Sequence, residues 1–366
     1  MKNILFTFLI LSISMLNCKK DKNDDTVKKL FILNTLQNAS KKPTFDWNYT
    51  SLPDVSTPTG LIVVQSKFWV VTEGSSSNSG SIFSSTDGAT WTQSSYSGES
   101  LYDIKYINNQ FVAVGGGTSS GGVIYSSPDG ITWTKKATFS SSIATRLTAI
   151  SGNSSYYTVA GYGGTSPNYY ARSISTDLVN WTHFVTTNSS LSRAGFPFVQ
   201  TVTTTGGASV ISSNSSFINS CPGTCTTSGN WAISTIDSAS ISQQYLKELN
   251  GTAVIVATTS TGTNIYYSVN GAAFTKVTNF TPQASIFGLS VIDNKFVITS
   301  ITNSGTSNQI NFSYSSDGIN WKSTTVSMSE GSGSLGFTLF ASLNGTYVST
   351  NSSRIFYTNS KSITFP

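Results

Sequence analysis

Ser-Ser-Pro-Asp-Gly-Ile-Thr-Trp, residues 126 to 133, decides the fold because the chain repeats it. Near copies are Ser-Ser-Thr-Asp-Gly-Ala-Thr-Trp (Ser84 to Trp91), Ser-Ser-Asp-Gly-Ile-Asn-Trp (Ser315 to Trp321) and Ser-Thr-Asp-Leu-Val-Asn-Trp (Ser175 to Trp181). Three decayed copies end at Trp231, at Phe274 and at Ile363. The turn position falls at Asp87, Asp129, Asp177, Thr227, Asn270, Asp317 and Asn359, with spacings of 42, 48, 50, 43, 47 and 42 residues. A fixed period of that length marks a repeat architecture, and four short strands with their turns need about that many residues.

Each repeat carries a second turn about 20 residues before the Trp phrase, a spacing that suits two more strands. Asn108-Asn109, Asn250-Gly251, Asp293-Asn294 and Asn344-Gly345 each stand between apolar, β-rich stretches. A unit therefore reads as inner strand, tight turn, second strand, polar loop, third strand, Asp-Gly turn and outer strand. Asp-Gly between alternating apolar residues predicts a two-residue type I′ hairpin, in which both central residues take positive φ. The Trp that follows is large enough to bury between neighbouring sheets. The expected fold is all-β: a seven-bladed β-propeller of four-stranded antiparallel blades over residues 43–366. Ring closure gives each blade its missing partner and hides the sheet edges. Two segments compete to complete the last blade, Phe45 to Tyr49 and Ser362 to Phe365.

The phrases at Asp87, Asp129, Asp177 and Asp317 resemble those of the Asp-box (BNR) propellers, a group that includes sialidases and photosystem assembly factor propellers. The resemblance covers about residues 45 to 366. The usual box has one residue between Asp and Gly, whereas here the two are adjacent. In that family the box is a structural device on the outer hairpin, remote from the ligand site, and the resemblance implies the same for these aspartates.

Residues 1–17 read as a signal peptide, with Lys2 followed by the apolar stretch Ile4 to Met15, too short to span a bilayer as a stable helix. Met15-Leu16-Asn17-Cys18 resembles the relaxed lipobox of spirochaete lipoproteins, which implies lipidation of Cys18. Residues 18–42 form a basic tether with seven Lys and three Asp. Removing the tether and Lys2 leaves a near-neutral domain, which argues against nucleic acid, a ligand that wants a basic face. The expected location is the bacterial envelope, anchored to the outer membrane by lipid. Cys221 and Cys225 flank a Pro-Gly turn that brings their Cβ atoms within disulfide range, so a local bond is expected there.

Only 10% of the residues are charged, so charge in the interior of the ring is informative. Asp103 and Lys105 fall on one inner strand and Lys247 and Glu248 on another, which makes these four the candidate ligand-binding residues. Tyr102, Tyr106, Tyr169 and Tyr170 are candidates for loops that meet sugars or proteins. Acid–base chemistry needs paired carboxylates or a partnered His. The chain has one His, His183, on an expected outer strand, and four Arg: Arg146, Arg172, Arg193 and Arg354. The Arg-Ile-Pro phrase of sialidases is absent. No catalytic residue, metal ligand or cofactor is assigned. The reading is a monomeric, non-catalytic binding module for protein or glycan, with a surface adhesin as one version. Its alternatives are a periplasm-facing scaffold or assembly factor for a membrane complex and a divergent sialidase-like glycosidase.

Overall fold

The computed structural model describes residues 44–45, 47–52, 56–74, 80–117, 121–162, 170–186, 200–204, 207, 209–212, 217–221, 231–237, 241–271, 273–282, 286–304, 307–328, 338–351 and 354–358. Among them there are strands and turns but no helix. Two short strands come first, β1 (Thr44–Phe45) and β2 (Asn48–Thr50). The remaining strands follow in antiparallel runs named here by their first strand. The β3 run comprises β3 (Thr57–Val64), β4 (Lys67–Glu73), β5 (Ile82–Ser85) and β6 (Thr92–Gln93). The β7 run comprises β7 (Leu101–Ile107), β8 (Gln110–Gly117), β9 (Gly121–Ser127) and β10 (Thr134–Thr138). The β11 run comprises β11 (Arg146–Gly152), β12 (Tyr157–Tyr162), β13 (Tyr170–Ser175) and β14 (Thr182–Thr186). The β15 run comprises β15 (Gln200–Thr203), β16 (Ser209–Ser212), β17 (Phe217–Cys221) and β18 (Ala232–Thr235). The β19 run comprises β19 (Ile241–Leu249), β20 (Thr252–Thr259), β21 (Gly262–Ser268) and β22 (Thr275–Lys276). The β23 run comprises β23 (Ile286–Ile292), β24 (Lys295–Ser304), β25 (Ser307–Ser315) and β26 (Lys322–Met328). The β27 run holds β27 (Leu339–Leu343), β28 (Thr346–Thr350) and β29 (Ile355–Thr358).

The β27 run takes its outer strand from the other end of the described chain. β2 pairs antiparallel with β29, Asn48 against Tyr357 and Thr50 against Ile355. The N-terminal candidate thus closes this sheet; residues 362–365 lie outside the described residues. β1 adds to the neighbouring run, parallel to β26. The β7 and β11 runs join into one eight-stranded sheet through the single bridge Arg146–Gly116. First strands pack side by side from β3 through β7, β11, β15, β19 and β23 to β27, which returns to β3.

The cores lie between runs. One cluster unites Trp69, Val71 and Ile82 with Ile104, Phe111 and Val123, and Trp133 packs on it. Trp91 packs on a cluster of the β27 and β3 runs, Trp181 on one of the β7 and β11 runs, and Trp321 on one of the β19 and β23 runs. Trp47 takes the corresponding place between the β23 and β27 runs, its ring 6.3 Å from that of Phe340. Strands covered on both faces need not alternate apolar with polar. All seven residues of β9 are buried, whereas β10, on the outside, is mostly exposed.

The type I′ expectation is corrected. The Asp-Gly pair sits inside a longer loop, residues 127–133, between the paired Ser126 and Thr134. Gly88, Gly130 and Gly318 have φ of 75°, 74° and 76°, but the preceding Asp residues are not in the positive-φ region. Side chains replace the I′ hydrogen bonds. Ser127 Oγ donates to Asp129 Oδ1 at 2.9 Å and accepts the Gly130 N–H at 2.8 Å. Asp129 Oδ1 accepts the N–H groups of Ile131 and Thr132, and Trp133 Nε1 donates to Gly130 O at 2.9 Å. The pattern repeats at Asp87, Asp177 and Asp317. At Asn270 the Ser268 Oγ donates to Asn270 Oδ1 at 3.2 Å. Asn359 lies outside the described residues. The true positive-φ pairs occupy the inner hairpins, at Asn108-Asn109, Asn250-Gly251, Asp293-Asn294, Asn344-Gly345 and also Gln65-Ser66.

Candidate functional site

Short polar side chains tie first strands to one another. Thr59 Oγ1 donates to Leu101 O at 2.6 Å, and the Ile150 N–H donates to Asp103 Oδ2 at 3.0 Å. Ser151 Oγ meets Thr201 Oγ1 at 3.0 Å, and the Leu246 N–H donates to Gln200 Oε1 at 2.5 Å. Tyr245 OH donates to Phe287 O at 2.8 Å. Side chains here do between runs what a backbone ladder does within one. Five inner hairpins also carry a register shift near the start of the first strand, between Pro58 and Gly60, Leu101 and Asp103, Leu147 and Ala149, Ile241 and Gln243, and Ile286 and Gly288. Such bulges re-aim a side chain; Thr59 and Tyr102 are two of the residues they displace.

The first strands enclose a cavity of ≈ 860 Å³ to which every run contributes. Asp103, Lys105, Lys247 and Glu248 all line it. Lys105 Nζ lies 2.5 Å from Asp103 Oδ1. Asp103 is thus already engaged twice, by its own strand and by β11. Glu248 serves its hairpin: its Oε1 accepts the Gly251 N–H at 2.7 Å, and desolvation raises its pKa. Lys247 is half-buried at the channel wall and closely surrounded by protein. Desolvation brings its ammonium down to about 8; Lys105 adds to that effect and Asp103 opposes it.

A second polar group lies toward the end where the first strands begin. Tyr102 OH donates to Glu73 Oε1 at 2.9 Å, Arg146 Nη1 lies 3.6 Å from the same oxygen, and the Arg146 guanidinium sits 5.5 Å from the centre of the Tyr102 ring. Sequence reading missed this cluster because its members come from the end of β4, the bulge of β7 and the first residue of β11.

His183 lies away from the cavity, on β14. Its Nδ1 is 2.8 Å from Ser173 Oγ, and its ring meets the edge of Phe139. Desolvation lowers its pKa. Arg172 is buried on β13, donating to Asn219 Oδ1 at 3.0 Å with its guanidinium 4.4 Å from the Trp231 ring centre. Arg354 lies over Tyr49 and joins β2 to the last run. Tyr106 lines the cavity and packs on Phe111. Cys221 is disulfide-bonded. Cys18, Cys225, Arg193 and Tyr169 lie outside the described residues. Among the described residues no group of three or more His, Cys, Asp or Glu could hold a metal.

No protein-family model matches the chain. No curated protein matches it in sequence. Among solved structures the chain is similar to YCF48 bound to D1 peptide, with 13% identity and a TM-score of 0.54 over 89% of this chain and 100% of that one. It is also similar to a catalytically inactive virginiamycin B lyase from Staphylococcus aureus with quinupristin, with 12% identity and a TM-score of 0.57 over 86% and 98% of the two chains. At such identities the likeness speaks for the fold alone. Both neighbours are β-propeller-type folds, and this chain is an all-β protein of that type.

Proposed function

We propose that the chain is a seven-bladed propeller, kin to the Asp-box group, that binds protein segments over the channel mouth where the first strands begin. It does so without covalent chemistry, as a monomer, lipid-anchored at Cys18 in the outer membrane, with Cys221 and Cys225 bonded. The observation that carries this reading is the channel itself. Each first strand contributes polar residues to it, and two of its acidic groups, Asp103 and Glu73, are held by neighbouring cations. A rigid ring with a polar, sculpted mouth suits recognition. The YCF48 structure bound to a peptide supports protein over glycan as the partner.

A photo-crosslinking residue in place of Thr338, an exposed channel-lining position, tests the reading in cells. Thr132, in an Asp turn, is the control position. A polypeptide adduct specific to Thr338 is expected; equal adducts from both sites would sink the idea. Protease shaving of intact cells separates an adhesin from a periplasm-facing scaffold. The glycosidase alternative draws on the Glu73, Tyr102 and Arg146 cluster, and turnover of a fluorogenic sialoside lost in Glu73→Gln would favour it.

A further inference from the structure

We infer that the middle of the channel, between Lys247 on β19 and Lys105 on β7, receives a carboxylate. The inference rests on the channel being the binding site and names the chemistry it takes. Among the described residues Lys247 Nζ makes no hydrogen bond or ion pair, and the residue stands half-buried at the channel wall. A partly desolvated ammonium gains from a partner. The carboxylates nearby are committed elsewhere. Asp103 holds Lys105 and the Ile150 N–H, and Glu248, next to Lys247 in sequence, turns to its own hairpin. Lys105 uses its ammonium on Asp103 Oδ1 and on Ile104 O at 3.4 Å, which leaves one of its three donors.

Lys105 is paired with Asp103, and Glu248 turns to the Gly251 N–H, so among these four groups Lys247 is the charge left for an anion. One unpaired ammonium suits a monoanion. A phosphate dianion would face Asp103 with only two point-charge donors and no planar guanidinium fork. The neighbouring wall offers Thr201, Thr203 and Val291, which fit an aliphatic stem behind a carboxylate. Two sources share this chemistry, a free small acid and an acidic side chain of a bound segment.

The experiment uses the full mature chain at pH 8. Reductive methylation with formaldehyde is followed at Lys247 by peptide mass spectrometry, with exposed Lys322 as the internal control. Acetate, acetyl-hexaglutamate amide and sodium chloride are compared at equal ionic strength. A slowing at Lys247 of about tenfold or more, with Lys322 unchanged, is expected from at least one carboxylate. Protection by acetate assigns a free acid; protection by the peptide alone assigns a partner segment. Equal rates in chloride and in both carboxylates overturn the site. As a second readout, the protecting carboxylate raises the thermal midpoint of the unaltered chain and not of Lys247→Met; an equal rise in both also overturns it. Absent protection with intact crosslinking from Thr338 defeats the carboxylate site alone. Protection without crosslinking defeats protein binding alone.

Discussion

At the scale of single residues, the Asp turn works by dividing labour. Ser127 and Asp129 supply the hydrogen bonds, Gly130 supplies the backbone, and Trp133 is held by its indole N–H. A Cβ on Gly130 would collide with the Trp69 ring of the preceding run, and the residue sits at φ 74°. Gly130→Ala is therefore expected to lose about 2–4 kcal/mol, combining left-handed strain with overpacking, as read by urea unfolding. The aspartates add a pH dependence. The N–H groups of Thr90, Thr132 and Asn180 hold Asp87, Asp129 and Asp177 below the usual range. At Asp317 partial burial opposes, yet the Asn320 N–H and its fellows bring the carboxyl to about 2. Depressed carboxyl pKa values give stability that is present above the unfolded value of about 4 and is lost as pH falls through the folded ones. The thermal midpoint should thus drop between about pH 4 and 2, and less steeply in Asp317→Asn. The phrase was legible as a turn and its conformation was not. Asp-Gly alone reads as type I′, and only the Ser two residues earlier, whose hydroxyl occupies the Gly N–H, shows why the loop is wider. Leu178 makes the same point, holding φ 66° where the other three carry Gly while its side chain is buried.

At the scale of strands, β2 acts as a clasp. Trp47 supplies the ring that the last run lacks, and Arg354 lies 4.6 Å from the centre of the Tyr49 ring. Trp47→Ala should cost about 2 kcal/mol, less than a fully buried Trp because the residue is half-exposed. Removing residues up to Thr50 should cost more, exposing the edge of β29 and driving self-association, measurable by light scattering. Both closing candidates looked alike in sequence because a short alternating strand carries little information. The order of Trp47 ahead of the pairing residues was the usable signal, since it copies the Trp-then-strand order of each repeat. The bulges of the inner strands were illegible, because one extra residue among polar and apolar neighbours leaves no mark on a period of two.

For the whole molecule, scarcity of charge was a good guide to the channel. Asp103, Lys105, Lys247 and Glu248 all line it, from strands far apart in the chain, and Glu248 also accepts the Gly251 N–H of its own hairpin. The Glu73, Tyr102 and Arg146 cluster stayed hidden because its members share no spacing, only a place in the closed ring. Lys247 should mark overall stability. Its folded pKa of about 8 lies below its ordinary 10.5, so its unfavourable burial as a cation is relieved as pH rises from about 8 toward 10. Lys247→Met is expected to raise the midpoint at pH 7 and to abolish that gain, as followed by calorimetry. The clasp also sets a timetable. Thr50 pairs with Ile355, so a strand that leaves the ribosome early has no mate until the chain has been made as far as Ile355. Until Ile355 arrives the early strand must stay unpaired and kept from other edges, which makes circularisation a late folding event.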